Sequence, residues 1–369
     1  MSRGEAGADT TDDRGLVERA VARFLAGCPV EAAFTEDQAE KTADYLGSIW
    51  HVAAASVPSF LATFGDLVAP ATRDRLKAIA EAALIQGRLI RQVTGEVAEA
   101  FASRGVDLVA LKGTASGFAG YADPAQRTGA DLDFCVRPHE LDISKNIMRQ
   151  VGFWAGDYDP QEQTFLPSDE TERAAREAGH YALGFWVKIL DAGEVSPSAA
   201  EGFRMAGELL PFASEVTGTR VRTPILVDIH HSLGAGVSAS DILDRPRVHH
   251  WNGTSVLLPP PEWIAFHALI KLYWEGGQAY GKGFRYLADF CRVLPLMDEE
   301  EIDALVGLVE AHNLRPGGYH LLRRMPLCAD LDITRLKPAL DVWSRPPANE
   351  TPSSYNDLGD FWPRLFGHL

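Results

Sequence analysis

Three acids carry the chemistry this sequence could perform. Asp131 and Asp133 stand one residue apart in the run Asp131-Leu132-Asp133-Phe134-Cys135-Val136. Residues i and i+2 of a strand face the same way, so these carboxylates project together. Like charges that close stay ionised only when a cation holds them. Hard oxygen ligands of this kind suit Mg²⁺, which takes one or two protein carboxylates plus phosphate oxygens. Upstream, the apolar run Leu108 to Leu111 stops at Lys112-Gly113-Thr114, and a helix-like piece follows. A glycine turn opening a helix offers backbone N–H groups to an anionic phosphate. Together these features read as a metal–nucleotide site.

The third acid, Asp228, interrupts Ile225-Leu226-Val227-Asp228-Ile229-His230. An acid inside such a run is costly to bury unpaired, and a neighbouring metal is one remedy. A salt bridge or a strand-end position is the other. Alternation puts His230 on the Asp228 face, as a substrate contact, a base or a hydrogen-bonded structural histidine. Arg127 lies in the turn before the paired acids, from where a guanidinium could reach a triphosphate; a solvated loop arginine is the alternative. Lys112 could serve the phosphates as a point charge, or end the strand facing solvent.

The elements that must position these residues fall into three blocks. An N-terminal region, 15–104, reads as helical: Leu16, Ala20, Val21, Phe24 and Leu25 recur at helical spacing until Pro29, and Glu36–Ala54 and Arg73–Ser103 continue it. Trp50 and His51 there read as packing and solvated residues. A mixed block, 105–258, holds strands over Asp107–Leu111, Leu132–Val136, Phe153–Tyr158, His180–Leu190, Ile225–His230 and Thr254–Leu258, with a helix over His139–Val151. Gln161–Gly179 reads as a polar loop or small surface helix, and Glu194–Ser214 is ambiguous. Pro259-Pro260-Pro261 opens a third block, 259–345, with helical periodicity over Glu262–Trp274, Phe284–Met297, Glu299–His312 and Tyr319–Cys328. Residues 1–14 read as a disordered lead-in and 346–369 as an irregular tail. Helices, a mixed block, then helices make an α+β plan.

Composition removes several classes of function. With 46% hydrophobic and 23% charged residues, the 369-residue chain is an ordinary globular protein large enough for two or three domains. A net charge of −16 argues against nucleic-acid binding through a broad basic surface, though not against a local basic pocket. Four scattered cysteines without a CxxC pair read as reduced thiols in the cytoplasm. No apolar stretch approaches a membrane span, and the N-terminus lacks the apolar core of a signal peptide. Gly276 to Lys282 nearly matches a phosphate-binding P-loop, but ends in Gly283 and follows a helix where a strand is required. Adjacent His249 and His250 point apart on a strand, which argues against zinc.

The ordered set Lys112-Gly113, Tyr121-Ala122-Asp123-Pro124, Arg127, Asp131-Leu132-Asp133 and Val227-Asp228-Ile229-His230 resembles the nucleotidyltransferase superfamily with a DNA polymerase β-like core. Within it, the chain resembles the bacterial uncharacterised nucleotidyltransferase family, over roughly Asp107 to Leu294. The helix Phe284-Arg285-Tyr286-Leu287-Ala288-Asp289 is similar to a late helix of that family. Thr114 stands where the superfamily has Gly or Ser, and the stretch from Thr114 to Asp131 is longer than in compact members. The resemblance implies a mixed-sheet catalytic core over 105–258. Asp131, Asp133 and Asp228 would hold two Mg²⁺ (or Mn²⁺) ions, and Asp228 would activate the acceptor. Lys112, Gly113, Thr114 and Arg127 would bind the nucleoside triphosphate; His230, Lys271 and Arg285 would meet the other substrate. It further implies transfer of a nucleoside monophosphate, AMP by expectation, to a small-molecule or peptide acceptor with release of pyrophosphate. A non-catalytic binding member and a toxin-like tRNA transferase are the competing readings. The intact acids weigh against the first. The second needs a basic stripe near the cleft, for which Lys112, Arg127, Lys271, Lys282 and Arg285 are the candidates.

Overall fold

The computed structural model describes residues 10–159, 164–168, 180, 182–209, 214–234, 237–275, 282–328 and 333–344. Four helices come first: α1 (Thr10–Ala26), α2 (Glu36–Ser48), α3 (Trp50–Phe64) and α4 (Pro70–Ala102). The Thr35–Gln38 capping box starts α2, and Pro70 sits in the first turn of α4, where its missing N–H costs nothing. The single helix expected over Glu36–Ala54 is broken at Ile49 (φ −106°, ψ 71°), so Trp50 and His51 open a new helix. Residues 10–14, expected within a disordered lead-in, belong to α1; residues 1–9 lie outside the described set.

The mixed block follows: β1 (Val109–Ala110), α5 (Lys112–Gly120), β2 (Asp131–Cys135), α6 (Leu141–Gln150), β3 (Trp154–Asp159), β4 (Thr164–Pro167), β5 (Ala182–Glu194), α7 (Pro197–Leu209), β6 (Glu215–Thr217), β7 (Arg220–His230), β8 (Ser232–Gly234), β9 (Val237–Ser238), α8 (Ala239–Leu243), β10 (Arg247–Trp251) and β11 (Thr254–Leu258). The ambiguous stretch resolves as α7, whose small residues pack on α4: a Cβ on Gly202 would lie 2.1 Å from the Ala78 carbonyl oxygen. The segment expected as a polar loop or small surface helix contains β4 and Ser168, and the rest of it lies outside the described residues.

One nine-stranded mixed sheet results, in the order β10-β11-β1-β2-β7-β5-β3-β4, with β6 paired to β7. Antiparallel β1 and β7–β5 flank a parallel β2–β7 pair, confirming an α+β fold with a mixed sheet. Register decides the chemistry. Asp133 pairs with Asp228 and Cys135 with His230. Paired residues share a face, so the sheet itself sets the distant acid beside the Asp-x-Asp segment.

The chain ends with α9 (Pro261–Glu275), α10 (Lys282–Val293), α11 (Glu299–Ala311), α12 (Arg315–Leu322), α13 (Met325–Cys328) and α14 (Lys337–Trp343). An apolar stripe (Phe284, Leu287, Phe290, Cys291) docks α10 into a core that runs through all three blocks. The Gly276 stretch and the expected tail fall outside the described residues. Cys28, Cys135 and Cys291 are unbridged. No helix among the described residues is long and apolar enough to cross a membrane.

Candidate functional site

The loop from β1 into α5 makes the floor of the site. Lys112, the first residue of α5, adopts φ 46°, a left-handed conformation that side chains other than glycine seldom take. No side chain caps this helix, so its first N–H groups remain available to a ligand. Gly113 is required by a close approach: a Cβ there would lie 2.7 Å from Nη2 of Arg127. The Thr114 hydroxyl accepts from the Asp133 N–H at 3.4 Å, and its carbonyl accepts from Arg91 at 3.3 Å. Thr114 thereby ties the turn to β2 and to α4.

Above the floor, β2 and β7 bring carboxylates and histidine together. Ligand atoms of Asp133, Asp228 and His230 all lie within 4.8 Å of one another. His230 Nε2 is 2.8 Å from Asp133 Oδ1 and 3.4 Å from Asp228 Oδ2. Lys112 does not end the strand facing solvent: its Nζ reaches the same Asp133 Oδ1 at 2.5 Å and His230 Nε2 at 3.4 Å. Burial alone would raise the Asp133 pKa, but Lys112 and His230 hold it far below the usual carboxylate range. Asp131, two residues earlier, lines the pocket without joining that tight cluster; burial, then the Asp133 charge, pushes it up to about 6. Burial opposes the Lys112 ammonium, yet the charges of Asp133 and Asp131 raise its pKa.

The opposite wall is built by helices from outside the mixed block. His51 of α3 and Arg285 of α10 meet there, Nη1 to Nε2 at 3.1 Å, with Arg285 also donating to the Tyr286 hydroxyl at 2.8 Å. The cleft between floor and wall is small, about 80 Å³. Its lining joins Lys112, Gly113, Thr114, Asp131 and Asp133 to His51 and Arg285.

Arg127 lies in this lining, and its guanidinium is engaged by groups of the protein itself. It forms a two-pronged pair with Asp289 of α10, Nε–Oδ1 2.7 Å and Nη2–Oδ2 2.8 Å, and donates to the Thr128 carbonyl. Both partners are buried, at 2% and 1% exposure. Asp289 also accepts from the Tyr121 hydroxyl at 3.2 Å. The solvated-loop alternative fails, because Arg127 is buried. Lys271 is outside the pocket lining, near enough to buried His267 to help lower its pKa, after burial and Lys112.

Residues missed in the sequence complete the frame. Arg91 of α4, 1% exposed, donates to the carbonyls of Pro124 (3.0 Å), Thr114 and Arg127 (2.6 Å). Burial, then Arg127, lowers its pKa to about 9. Its signal was a charge on the buried stripe Ile90, Val93, Thr94, Val97. Gln86 accepts from Trp50 Nε1 (2.5 Å) and Thr128 Oγ1 (3.1 Å), and the His51 carbonyl accepts from the Thr128 N–H (3.0 Å). His51 is thus fixed to the loop before β2, which no local sequence pattern could reveal.

Does a divalent cation fit? Asp228 Oδ1 is buried and has no hydrogen-bond partner, an arrangement that costs free energy unless a cation satisfies it. Three carboxylates converge on one ammonium. The donor set is oxygen-rich with one imidazole, as Mg²⁺ or Mn²⁺ accept. These residues fit such an ion.

The chain belongs to the uncharacterised nucleotidyltransferase family, whose model matches residues 48–330. That span reaches beyond the mixed block at both ends and takes in His51, Arg91 and Arg285. Comparison with curated proteins finds no match. Among solved structures, the chain is similar to an antigenic nucleotidyltransferase-like protein from Paracoccidioides brasiliensis, at 16% identity over 71% of this chain and 92% of that one, with a TM-score of 0.33.

Proposed function

We propose that this chain is a metal-dependent nucleotidyltransferase that moves a nucleoside monophosphate, AMP first among the candidates, from a triphosphate to a small-molecule or peptide acceptor, releasing pyrophosphate. The observation that carries this is the β2–β7 register, which puts Asp228 beside Asp133, and Asp133 in turn lines a pocket floored by an uncapped helix N-terminus. Asp131, Asp133 and Asp228 would hold Mg²⁺ or Mn²⁺, which when bound neutralises charge on the phosphates and lowers the pKa of a coordinated hydroxyl. The N–H groups at Gly113 and Thr114 bind phosphate oxygens, and the partial positive end of α5 adds to that attraction. Arg285 with His51 supplies the cationic wall for the triphosphate or an acidic acceptor group. Asp228, with its free oxygen, accepts the acceptor's proton. His230 holds Asp133 and Asp228 in place through Nε2. Catalysis of this kind is chiefly positioning and charge neutralisation.

The test is thermal stabilisation by a panel of nucleoside triphosphates with Mg²⁺, comparing native protein with Asp131→Asn/Asp133→Asn. A ligand that binds only the folded state raises stability by mass action. The expected result is a metal-dependent shift for one nucleotide, lost in the double variant. No shift with any nucleotide from well-folded protein would defeat the reading.

A further inference from the structure

We propose that Lys112 is a permanent member of the acidic cluster and takes the place of one of two divalent ions, so that this chain binds a single metal ion with its phosphate ligand. The inference rests on the metal–phosphate reading above and concerns the number of ions in that site. The chain turns Lys112 inward with a left-handed residue (φ 46°) although Gly113, the residue suited to that conformation, comes next. An inward ammonium at that position has a use, and its contacts show which. Asp133 Oδ1 receives Lys112 at 2.5 Å and His230 at 2.8 Å. A carboxylate oxygen has about two acceptor positions, so this one is filled. Withdrawing Lys112 would leave a 3%-exposed carboxylate without its cation, a costly state that holds the lysine where it is.

Across the strand pair, Asp228 Oδ1 has no partner, so one position is closed by the protein's own cation and one is open. Before a phosphate ligand arrives, the Lys112 ammonium and the Arg285 guanidinium already offset much of the charge of Asp131, Asp133 and Asp228. A second divalent ion would have to share Asp133 with that ammonium.

The experiment counts ions. Native protein, Lys112→Met and Lys112→Arg are dialysed to equilibrium with Mn²⁺ and tripolyphosphate, and bound Mn²⁺ is measured per chain, with the electron paramagnetic resonance line shape as second readout. The expected count is one ion with an isolated-ion spectrum for native protein and Lys112→Arg. Lys112→Met should take two ions with a spin-coupled spectrum. Two ions in native protein, or one in folded Lys112→Met, would overturn the inference and leave the transferase reading intact. No bound ion in any of the three would defeat both. Should Lys112→Met fail to fold, the native and Lys112→Arg counts decide, one ion in each supporting the proposal and two in either refuting it.

Discussion

Two buried charge clusters flank the Lys112–Thr114 turn, and they use the same residue types to opposite ends. On one side, Arg127, Asp289, Tyr121 and Arg91 form a closed lattice. Both oxygens of Asp289 accept hydrogen bonds, Arg91 reaches three carbonyls, and no buried side-chain atom of Arg91, Arg127 or Asp289 lacks a partner. On the other side, Asp133 holds Lys112 and His230, Asp228 meets the same histidine, Asp131 is pushed up to about 6 by burial and Asp133, and Asp228 Oδ1 is unmet. A buried ion pair whose every polar atom is satisfied serves as a brace. Surplus negative charge with an open oxygen is what a cation-binding site would present. Identity of residue type therefore says little, and the balance of donors and acceptors says most.

That contrast can be broken from the acidic side first, where the largest effect is expected. Asp133→Asn removes the charge that anchors Lys112 and His230 and would hold metal. Loss of several kcal/mol of charge stabilisation corresponds to a fall on the order of 10³-fold in kcat/KM. The measurement is pyrophosphate release once a donor is known, together with loss of the metal-dependent melting shift. An unchanged rate would remove the acids from the reaction.

On the brace side the effect should fall on stability. Arg127→Met leaves Asp289 buried and uncompensated, so unfolding free energy should drop by about 3–5 kcal/mol, with Asp289→Leu behaving alike. The double variant Arg127→Met/Asp289→Leu should lose much less than the sum, as a double-mutant cycle in denaturant would show. Additive losses would mean that the two residues do not act as a pair.

The sequence foretold the acids better than the brace, for a physical reason. Period-2 alternation put Asp131 and Asp133 on one face of a strand and His230 on the Asp228 face, and these local rules hold in β2 and β7. Meeting of the two strands is set by sheet order, which no local pattern encodes; there the family resemblance supplied what periodicity could not. The Arg127–Asp289 pair was not legible, because a loop arginine beside acids shows its charge but hides its partner, here on a helix far along the chain. His51 was set aside because helical spacing cannot report that Gln86 and Thr128 lock α3 against the pocket. The short strands β8 and β9, of three and two residues, eluded prediction because so few residues show no alternation.

A smaller effect concerns His267, buried on α9 within electrostatic reach of the acidic cluster. Burial, then Lys112 and Lys271, lowers its pKa well below 6.5. A cationic group with a depressed folded pKa binds more protons unfolded, so its contribution is complete above pH 6.5 and declines as pH falls below that value. Between pH 6.5 and 5 native stability should fall by at most about 1.4 kcal/mol per pH unit from this group. His267→Gln should flatten that window while leaving the lower acid limb in place. Equal slopes for both proteins in urea titrations would show that His267 does not carry the effect.

The smallest effect should have the opposite sign. Asp228→Asn removes a charge from a crowd of three carboxylates and costs no hydrogen bond at Oδ1, which makes none. The amide oxygen can still face His230 Nε2, now 3.4 Å from Asp228 Oδ2. Stability should therefore rise, by about 0.5–2 kcal/mol, as it does where function has kept a strained or repulsive site. The same variant should lose metal-dependent binding. Denaturant midpoints measured without metal decide it: a gain marks Asp228 as a residue kept for a ligand at the expense of the fold. A loss like that of Arg127→Met would place Asp228 in a second brace and erase the distinction between the two clusters.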